Sequence, residues 1–267
     1  MPLRLTPTFR DRLAEADRPL AGVWLCAGSP LVAEICAGSG LDWTLVDMEH
    51  APNGLESVLA QLQAVAAYPI TPVVRVPAND AVIVKQVLDL GAQNLLVPMV
   101  NSAADAEAAV AAVRYPPRGR RGVGSALGRS GRWNRVGSYL VDADYHVSLF
   151  VQVETADAVA AAAEIATVDG IDGVFVGPSD LAASMGRLGE QAHPDVVAAV
   201  HATFDAVRAA GKPVGVNAFD PVVADAYLAA GASFVLVGAD VGLLARGSEA
   251  LAARFVPGSA ERERDAR

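Results

Sequence analysis

The residues with the clearest potential for chemistry lie in the stretch Val46 to Gly54, where an apolar strand pattern gives way to Asp47, Glu49, His50 and turn formers. An imidazole titrates near neutral pH, so a histidine at the end of a buried strand could transfer a proton during a reaction. A histidine in this place could equally cap the next helix or pack in a loop. His50 is therefore the first candidate catalytic residue, and its surroundings must decide between these roles.

Three further apolar runs end in polar side chains. Arg75 ends one run, Gln152 and Glu154 end another, and Ser179 and Asp180 directly follow a third. In a barrel of parallel strands, the carboxyl ends meet at one mouth, which is where chemistry takes place. We therefore expect these side chains to lie in one site together with the candidate histidine.

Gln152 and Glu154 are two residues apart on a predicted strand, so both project from the same face into the barrel. Buried polar groups need partners, and a divalent cation would satisfy both. Glu154 and Asp180 supply two hard oxygen ligands, which suits Mg2+ or Mn2+ better than a structural Zn2+. The alternative is a buried ion pair between Glu154 and Arg75 with no metal.

The turn Gly177 to Asp180 leads into a predicted helix, and free backbone N–H groups at a helix start favour an anion such as a substrate carboxylate. This signal is weak by itself because many helix starts have a similar sequence.

Two other kinds of mechanism are disfavoured by the sequence. Lys85 and Lys212 are the only lysines, and both fall away from the predicted mouth, so a Schiff-base mechanism lacks its amine and carbonyl chemistry would have to be metal-assisted. A Ser-His-Asp hydrolase is not supported because no Gly-x-Ser-x-Gly motif follows a strand.

The elements that must position these residues follow a regular alternation. Short runs rich in Val, Ile and Leu alternate with Ala-rich helical runs, which is typical of βα units around a parallel sheet. Eight such units favour a closed (β/α)8 TIM barrel, as a single domain over residues 1–267, because clear amphipathic edge strands are not visible. The predicted strands are 21–27, 42–48, 71–76, 94–98, 147–153, 172–177, 213–217 and 233–238. The predicted helices are 30–38, 54–67, 79–90, 102–113, 156–167, 192–210, 221–230 and 240–253.

Two segments break this alternation. Arg114 to Tyr145 is too long for an ordinary connection, and its Arg-rich part, 118–135, is expected to be a solvated loop or an oligomer contact rather than an anion site. The tail 261–267 alternates in charge and is expected to be frayed.

The composition excludes several function classes. A net charge of -9 and an isoelectric point near 4.9 argue against a nucleic-acid partner. No run reads as a membrane span or a signal peptide, so we expect a cytoplasmic protein without a membrane partner. Cys26 and Cys36 match no metal or redox spacing and are expected to be reduced core residues on a strand and a helix.

An ordered set of motifs connects the chain to a known family. The set is Asp47-Met48-Glu49-His50-Ala51-Pro52-Asn53, Arg75, Tyr115-Pro116-Pro117-Arg118-Gly119 with Arg121-Gly122-Val123-Gly124-Ser125-Ala126, Gln152-Val153-Glu154-Thr155 and Val176-Gly177-Pro178-Ser179-Asp180-Leu181. Over residues 5–255 the chain resembles the metal-dependent (class II) pyruvate aldolases of the 4-hydroxy-2-oxoheptanedioate aldolase family, in the phosphoenolpyruvate/pyruvate barrel superfamily.

The resemblance implies a lyase that interconverts a 4-hydroxy-2-oxo acid with pyruvate and an aldehyde. It implies that a divalent cation, Mg2+ or Mn2+ with Co2+ as a further option, is held by Glu154 and Asp180. It also implies that Gln152 and Ser179 contact the pyruvate moiety, that His50 is the acid/base residue, and that Arg75 stabilises the transition state.

The resemblance further implies that Asp89 raises the basicity of the catalytic histidine. Asp89 ends a predicted helix far from the mouth of its own barrel, so it could act only from a neighbouring subunit, as in the homo-hexamer (a trimer of dimers) of the family. Asp47, three residues before His50, is the local alternative for this role.

One position departs from the family pattern. Asn217, at the end of a predicted strand, stands where the family has an aliphatic pocket residue, and it could hydrogen-bond a polar aldehyde tail.

Two alternatives remain for the function of the whole chain. The first is another carbon–carbon bond reaction of the superfamily, such as a CoA-linked reaction, which would need a basic groove for the CoA phosphates. The second is a non-catalytic metabolite-binding barrel.

Overall fold

Eight parallel strands pair in chain order, and the last closes on the first. The computed structural model describes residues 5–257. The strands are β1 (Leu20–Leu25), β2 (Trp43–Asp47), β3 (Thr71–Arg75), β4 (Asn94–Val97), β5 (Ser148–Val153), β6 (Gly173–Val176), β7 (Val214–Asn217) and β8 (Phe234–Ala239). The predicted (β/α)8 TIM barrel is confirmed, and each predicted strand overlaps its counterpart to within two residues at either end.

Twelve helices within the described residues surround and connect the strands. They are α1 (Phe9–Glu15), α2 (Pro30–Ala37), α3 (Leu55–Ala64), α4 (Ala81–Asp89), α5 (Ala103–Val113), α6 (Tyr139–Asp142), α7 (Ala156–Ala160), α8 (Ala162–Thr167), α9 (Pro178–Ser184), α10 (Pro194–Ala209), α11 (Pro221–Ala229) and α12 (Asp240–Phe255). The predicted helix 156–167 is two helices that meet at Ala161. No described helix is long and apolar enough to cross a membrane.

The alternation along each strand separates two apolar layers. In β5, Val151 and Val153 face the surrounding helices, whereas Phe150 joins the cluster inside the barrel. Gln152 and Glu154 share the inward face with Phe150 and are 2% exposed each. The predicted orientation of β5 is therefore confirmed, and two polar side chains do end inside an otherwise apolar barrel.

Helix α1, which the sequence analysis did not predict, closes the amino-terminal end of the barrel. Thr8 caps it in a capping box with Asp11. Phe9 is 1% exposed, and its ring lies 4.9 Å from the Trp43 ring and 5.2 Å from the Phe150 ring. The helix was missed because a seven-residue helix with one buried aromatic residue gives little periodicity.

The segment between α5 and β5 packs against the end of α4 instead of extending into solvent. The backbone N–H of Arg129 donates to the carbonyl of Asp89 at 2.7 Å, and Arg121 and Tyr139 are buried. The segment is therefore solvated only in part, since Val123 and Leu127 are exposed, and the alternative of an oligomer contact stays a prediction. The predicted frayed tail 261–267 lies outside the described residues.

Candidate active site

Most of the predicted site residues lie at the carboxyl ends of the strands, as expected. Asp47 ends β2, Arg75 ends β3, and Asn217 ends β7. Glu154 follows β5 directly, and Asp180 lies in the first turn of α9 after β6. The mouth of the barrel thus brings these groups together, and Asp89, described below, is the exception.

Arg75 and Asp47 form a buried bidentate ion pair. The Nε and Nη2 atoms of Arg75 donate to the two carboxylate oxygens of Asp47, each at 2.8 Å, and both side chains are at most 5% exposed. The strand register places the two residues directly opposite each other on β2 and β3. Glu154 is therefore not the partner of Arg75, which removes the metal-free ion pair considered above.

Both carboxylate oxygens of Asp47 accept hydrogen bonds from within the protein. Besides Arg75, its carboxylate accepts the backbone N–H groups of Glu49 at 3.0 Å and His50 at 3.3 Å. Asp47 therefore holds the loop that carries the imidazole, and in the described part of the chain it forms no ion pair or hydrogen bond with the imidazole itself. The alternative in which Asp47 tunes the ring stays a prediction, while its contacts hold Arg75 and the loop in position.

Glu49, which the sequence analysis did not select, is the carboxylate within ion-pair distance of the candidate histidine among residues 5–257. Its Oε2 atom lies 2.9 Å from Arg75 Nη1 and 3.9 Å from His50 Nε2. Burial raises the pKa of the Glu49 carboxyl, while the charges of Arg75 and His50 oppose the increase. The His50 side chain is 64% exposed, so it is open to a ligand from solvent.

The loop after β2 is fixed by Asn53. Its Nδ2 atom donates to the carbonyls of Asp47 at 2.7 Å and Leu25 at 3.3 Å, and its Oδ1 atom accepts from Gln61 at 2.7 Å. Asn53 is 8% exposed. The asparagine of the motif thus joins the loop to β1 and α3, so His50 projects from a rigid support even though its ring is exposed.

A second unpredicted residue, Trp24, supports Arg75 from the other side. The guanidinium lies 4.3 Å from the centre of the indole ring, within the range of a cation–π contact. The indole Nε1 in turn donates to Oδ1 of Asn217 at 2.8 Å. The side-chain oxygen of Asn217 is therefore already bound within the protein, and only its amide N–H groups remain for a substrate tail.

The other side of the mouth is built around Glu154. Its Oε1 atom accepts the backbone N–H of Met99 at 2.8 Å, and its Oε2 atom accepts a short hydrogen bond from Gln152. Met99 has a φ of 54°, a left-handed conformation that is rare outside glycine and is often found at functional sites. The Oε1 atom of Gln152 is buried and has no hydrogen-bond partner.

Burial raises the pKa of Glu154 to about 7, although the hydrogen bonds from Met99 and Gln152 act to lower it. The charges of Glu49 and Asp180 raise it further. An acidic group this strongly desolvated, with other carboxylates near it, is a typical sign of a functional site. A bound cation would relieve both the desolvation and the repulsion.

Gly177 leaves room for the neighbouring side chains of Gln152 and Glu154 but offers no free hydrogen-bond donor to a ligand. Its backbone N–H donates to the carbonyl of Val153 at 3.2 Å, so it is committed to the sheet, and Pro178 has no N–H. The expected anion site can use only the amides further along α9, from Ser179 onward, and α9 has seven residues. Ser179 and Asp180 are exposed at the mouth.

Substituting Gly177 with alanine is expected to displace the side chains of Gln152 and Glu154. A Cβ atom at this position would lie 3.0 Å from Gln152 Nε2 and 3.0 Å from Glu154 Oε2. Overpacking of this kind costs about 1–3 kcal/mol, so we expect a lower melting temperature and weaker binding of Mn2+ by calorimetry. Gly137→Ala is the matched control, because its Cβ would meet nothing within 4 Å. Equal Mn2+ affinity in both variants would contradict this interpretation.

Asp89 lies away from the mouth of its own barrel. It is the last residue of α4, at the end that leads into β4, and its carboxylate lies 3.6 Å from Arg121 Nη2. The expectation that it cannot reach His50 within one subunit is therefore consistent with the fold. Lys212, the lysine before β7, donates to the carbonyl of Ile171 at 2.8 Å, ahead of the start of β6 and away from the mouth.

A closed parallel barrel with acidic groups, an arginine and a histidine on the carboxyl-end loops defines the chain as a TIM-barrel enzyme. Residues 20–247 match the family model described as HpcH/HpaI aldolase/citrate lyase. The chain belongs to this family, and it is a carbon–carbon lyase of the aldolase type.

Individual relatives match this chain over nearly its full length. The 4-hydroxy-2-oxo-heptane-1,7-dioate aldolase of Salmonella dublin is 54% identical over 247 residues, which are 92% of this chain and 94% of the relative. The crystal structure of an HpcH/HpaI aldolase/citrate lyase family protein from Burkholderia cenocepacia is 42% identical with a TM-score of 0.89, covering 93% of this chain and 99% of the other. The structure of the citrate synthase SbnG is 27% identical with a TM-score of 0.82, covering 97% and 99%.

Proposed function

We propose that the protein cleaves a 4-hydroxy-2-oxo acid reversibly into pyruvate and an aldehyde, and that a divalent cation takes part. The observation that carries the proposal is the buried pair Gln152 and Glu154, which faces the mouth with no cationic partner while Arg75 is bound elsewhere. The Salmonella relative named above, with its substrate in its name, supports the substrate class.

The residues present fit a divalent cation. Gln152 Oε1 is buried without a partner, and burial holds the pKa of Glu154 far above its usual range. Glu154 and Asp180 would hold the ion, Mg2+ or Mn2+ and also Co2+, since all accept carboxylate oxygens. No three His, Cys, Asp or Glu side chains of residues 5–257 converge as a ligand set, so water and substrate would complete the coordination. When bound, the ion supplies Lewis acidity toward the 2-oxo group.

The protein's own residues account for the proton transfer. His50 is exposed at the mouth and accepts the proton of the substrate 4-hydroxyl, directly or through water. The C3–C4 bond then breaks, which releases the aldehyde and leaves a pyruvate enolate that takes up a proton at C3. Gln152 and Ser179 contact the pyruvate moiety, and Asn217 offers its amide N–H groups to the aldehyde portion.

Arg75 stabilises the negative charge that develops on the enolate. Two of its five N–H groups are committed to Asp47, and Nη1 lies beside Glu49, so its remaining N–H groups are fixed in direction. A donor held this way before the reaction needs no reorganisation as charge develops.

The test is pyruvate release from a panel of 4-hydroxy-2-oxo acids, detected by coupling to lactate dehydrogenase. Wild-type protein should release pyruvate, and His50→Ala should be slower by 100-fold or more, in line with the typical contribution of general acid–base catalysis, about 10²–10⁴. His201→Ala, on the exposed side of α10, is the control. Absence of pyruvate with every acid would reject the proposal, and equal rates for His50→Ala would reject the role of His50.

The proposed cation leads to two expectations, one for activity in EDTA and one for the pH dependence of cation binding. Treatment with EDTA should abolish the reaction, and Mg2+ or Mn2+ should restore it. Because the pKa of Glu154 is about 7, a proton competes with the cation below this pH. We expect the apparent affinity for Mn2+ to fall about fivefold between pH 7 and pH 6 and to change little above pH 8. Full activity in EDTA would rule out the cation.

We also propose that the protein works as a homo-oligomer in the cytoplasm, with a hexamer of three dimers as the expected assembly. Exposed apolar side chains are numerous on α12 and on the segment before β5, among them Leu243, Leu244 and Leu127. The free cysteines, Cys26 and Cys36, suit a reducing compartment. Neither a membrane nor a nucleic acid is needed as a partner. Light scattering of the full chain would determine the number of subunits.

A further inference from the structure

A cavity at the amino-terminal end of the barrel, opposite the mouth, is lined by three arginines. It has a volume of about 280 Å³ and lies between the start of β3, the residues before β4 and the segment that connects α5 and β5. Arg12, Arg129 and Arg132 line this arginine cavity, and none of the described residues that line it is Asp or Glu. The cavity therefore concentrates positive charge in a chain whose net charge is -9.

The adjoining cavity at the same end of the barrel has a different composition. It shares Arg12 with the arginine cavity, but it also includes Glu15, Asp17 and Asp42. Its positive charges therefore have carboxylates beside them. The lack of carboxylates is thus a property of the arginine cavity and not of this end of the barrel as a whole.

The guanidinium groups of Arg129 and Arg132 come together beside Gly91. A Cβ atom at Gly91 would lie 2.8 Å from Nη1 of Arg129 and 3.0 Å from Nη1 of Arg132. Gly91 has a φ of 94°, a conformation that favours glycine, and its lack of a side chain leaves the space that both guanidiniums occupy. Two like charges are therefore held close to each other.

Neither guanidinium has a counter-charge in the described part of the chain. Nη1 of Arg129 donates to the carbonyl of Leu90 at 3.2 Å, and Nη1 of Arg132 donates to the carbonyl of Arg129 at 2.7 Å. Among residues 5–257, no carboxylate lies within ion-pair distance of either arginine. Burial lowers the pKa of both half-buried guanidiniums, and the charge of Arg132 lowers the pKa of Arg129 further. A bound anion would offset this repulsion and accept hydrogen bonds from the remaining N–H groups.

We propose that the arginine cavity binds a phosphate group, either as inorganic phosphate or as a small phosphate monoester. A phosphate monoester carries a charge of about -1.5 to -2 at pH 7, so one group neutralises both guanidiniums, whereas a carboxylate carries a single charge. The planar fork of an arginine also matches phosphate oxygens in bidentate contacts. Leu62 and Val65 line the same cavity and offer an apolar surface to the carbon part of a monoester.

The site differs from the expectation that the Arg-rich part of the segment, 118–135, is not an anion site. Spacing within the segment does not show that two of its arginines meet beside Gly91, which precedes them by almost forty residues. The arginine cavity lies at the opposite end of the barrel from the mouth, so its ligand is independent of the proposed reaction. A carboxylate from a second copy of the chain is the other group that could neutralise the pair.

The experiment is isothermal titration calorimetry of the full-length protein, freed of metal ions, with inorganic phosphate at constant ionic strength. We expect Arg129→Gln and Arg132→Gln each to weaken phosphate binding about tenfold or more, the usual effect of losing a charge-assisted hydrogen bond. Arg135→Gln is the control, because Arg135 is exposed on the same segment, carries the same charge and does not line the cavity. It should bind phosphate within about twofold of wild type, since solvent and salt screen an exposed charge.

A pair of glycine variants tests the position of the site without changing its charge. Gly91→Ala places a Cβ atom against both guanidiniums, which can move aside because they end flexible side chains. Gly40→Ala is the matched control: Gly40 has a φ of 90°, so the backbone strain is similar, but its Cβ would meet nothing within 4 Å. Phosphate affinity should fall in Gly91→Ala and stay at the wild-type value in Gly40→Ala.

Equal phosphate affinity in wild type, Arg129→Gln and Arg132→Gln would overturn the inference, as would a wild-type protein that binds no phosphate. Light scattering on the same samples tests the other occupant, since a smaller assembly in both arginine variants would assign the pair to a contact between subunits instead. Glycerol 3-phosphate distinguishes the two sources of the phosphate group. Tighter binding than inorganic phosphate supports a monoester, and equal or weaker binding supports free phosphate.

Discussion

Glu154→Gln is expected to stabilise the metal-free protein at pH 8 while abolishing metal-dependent pyruvate release. In the folded protein, burial raises the pKa of Glu154 from 4.5 to about 7. The unfolded chain releases this proton near pH 4.5, so the folded state loses stability as the pH rises from about 4.5 to 7. The cost above pH 7 is on the order of 3 kcal/mol, and a neutral amide does not incur it.

The measurement is thermal unfolding in EDTA at pH 5 and pH 8, for wild type and the variant. The gain from Glu154→Gln should be present in full at pH 8 and much smaller at pH 5. Glu107→Gln on the exposed face of α5 is the control and should leave the pH profile unchanged. If the stability difference between wild type and Glu154→Gln does not depend on pH, burial does not destabilise the ionised carboxylate of Glu154.

The second large effect is expected for Arg75→Lys. A lysine keeps the positive charge but cannot form the bidentate pair with Asp47 or lie flat on Trp24. We expect kcat to fall by about 10²–10³, because a fixed donor to developing negative charge contributes this much in enzymes. We also expect a loss of stability of up to about 3–5 kcal/mol, because the partly unpaired Asp47 stays buried.

Arg18→Lys is a closely matched control. Arg18 also forms a bidentate pair, with both oxygens of Asp42 at 2.8 Å, but its side chain is 60% exposed. An exposed ion pair contributes little to stability because water and salt screen it, and Arg18 lies before β1, at the other end of the barrel. Kinetics of Arg75→Lys as close to wild type as those of Arg18→Lys would remove Arg75 from the mechanism.

The barrel was predictable because its evidence is local. Each strand is a short, mostly apolar run bounded by turn formers, and the parallel order follows from the helices between the runs. The side-chain alternation in β5 likewise placed Gln152 and Glu154 inside the barrel before any contact was known. Helix α1 and the split at Ala161 were missed because their signals extend over fewer residues than a helical pattern requires.

The pairing inside the site could not be predicted from spacing. Arg75 had three possible carboxylate partners, Asp47, Glu49 and Glu154. Only the register between β2 and β3 determines that Asp47 forms the bidentate ion pair. Trp24 carried no signal, since an aromatic residue on an apolar strand is usually core. The burial of Arg121 was equally hidden, because an arginine-rich segment normally indicates exposure.

The hydrogen bond from Trp24 to Asn217 has a consequence for altering the range of aldehydes. Asn217 lies where a longer or more polar aldehyde would be accommodated, so it is an obvious position to vary in a redesigned catalyst. Its oxygen, however, fixes the indole that lies against Arg75. An aliphatic residue at 217 would remove the acceptor of the indole N–H, and the ring that lies against the guanidinium would then be held by packing alone. Acceptor preference and turnover are thus coupled through one indole N–H, so a library at this position should vary residue 24 at the same time.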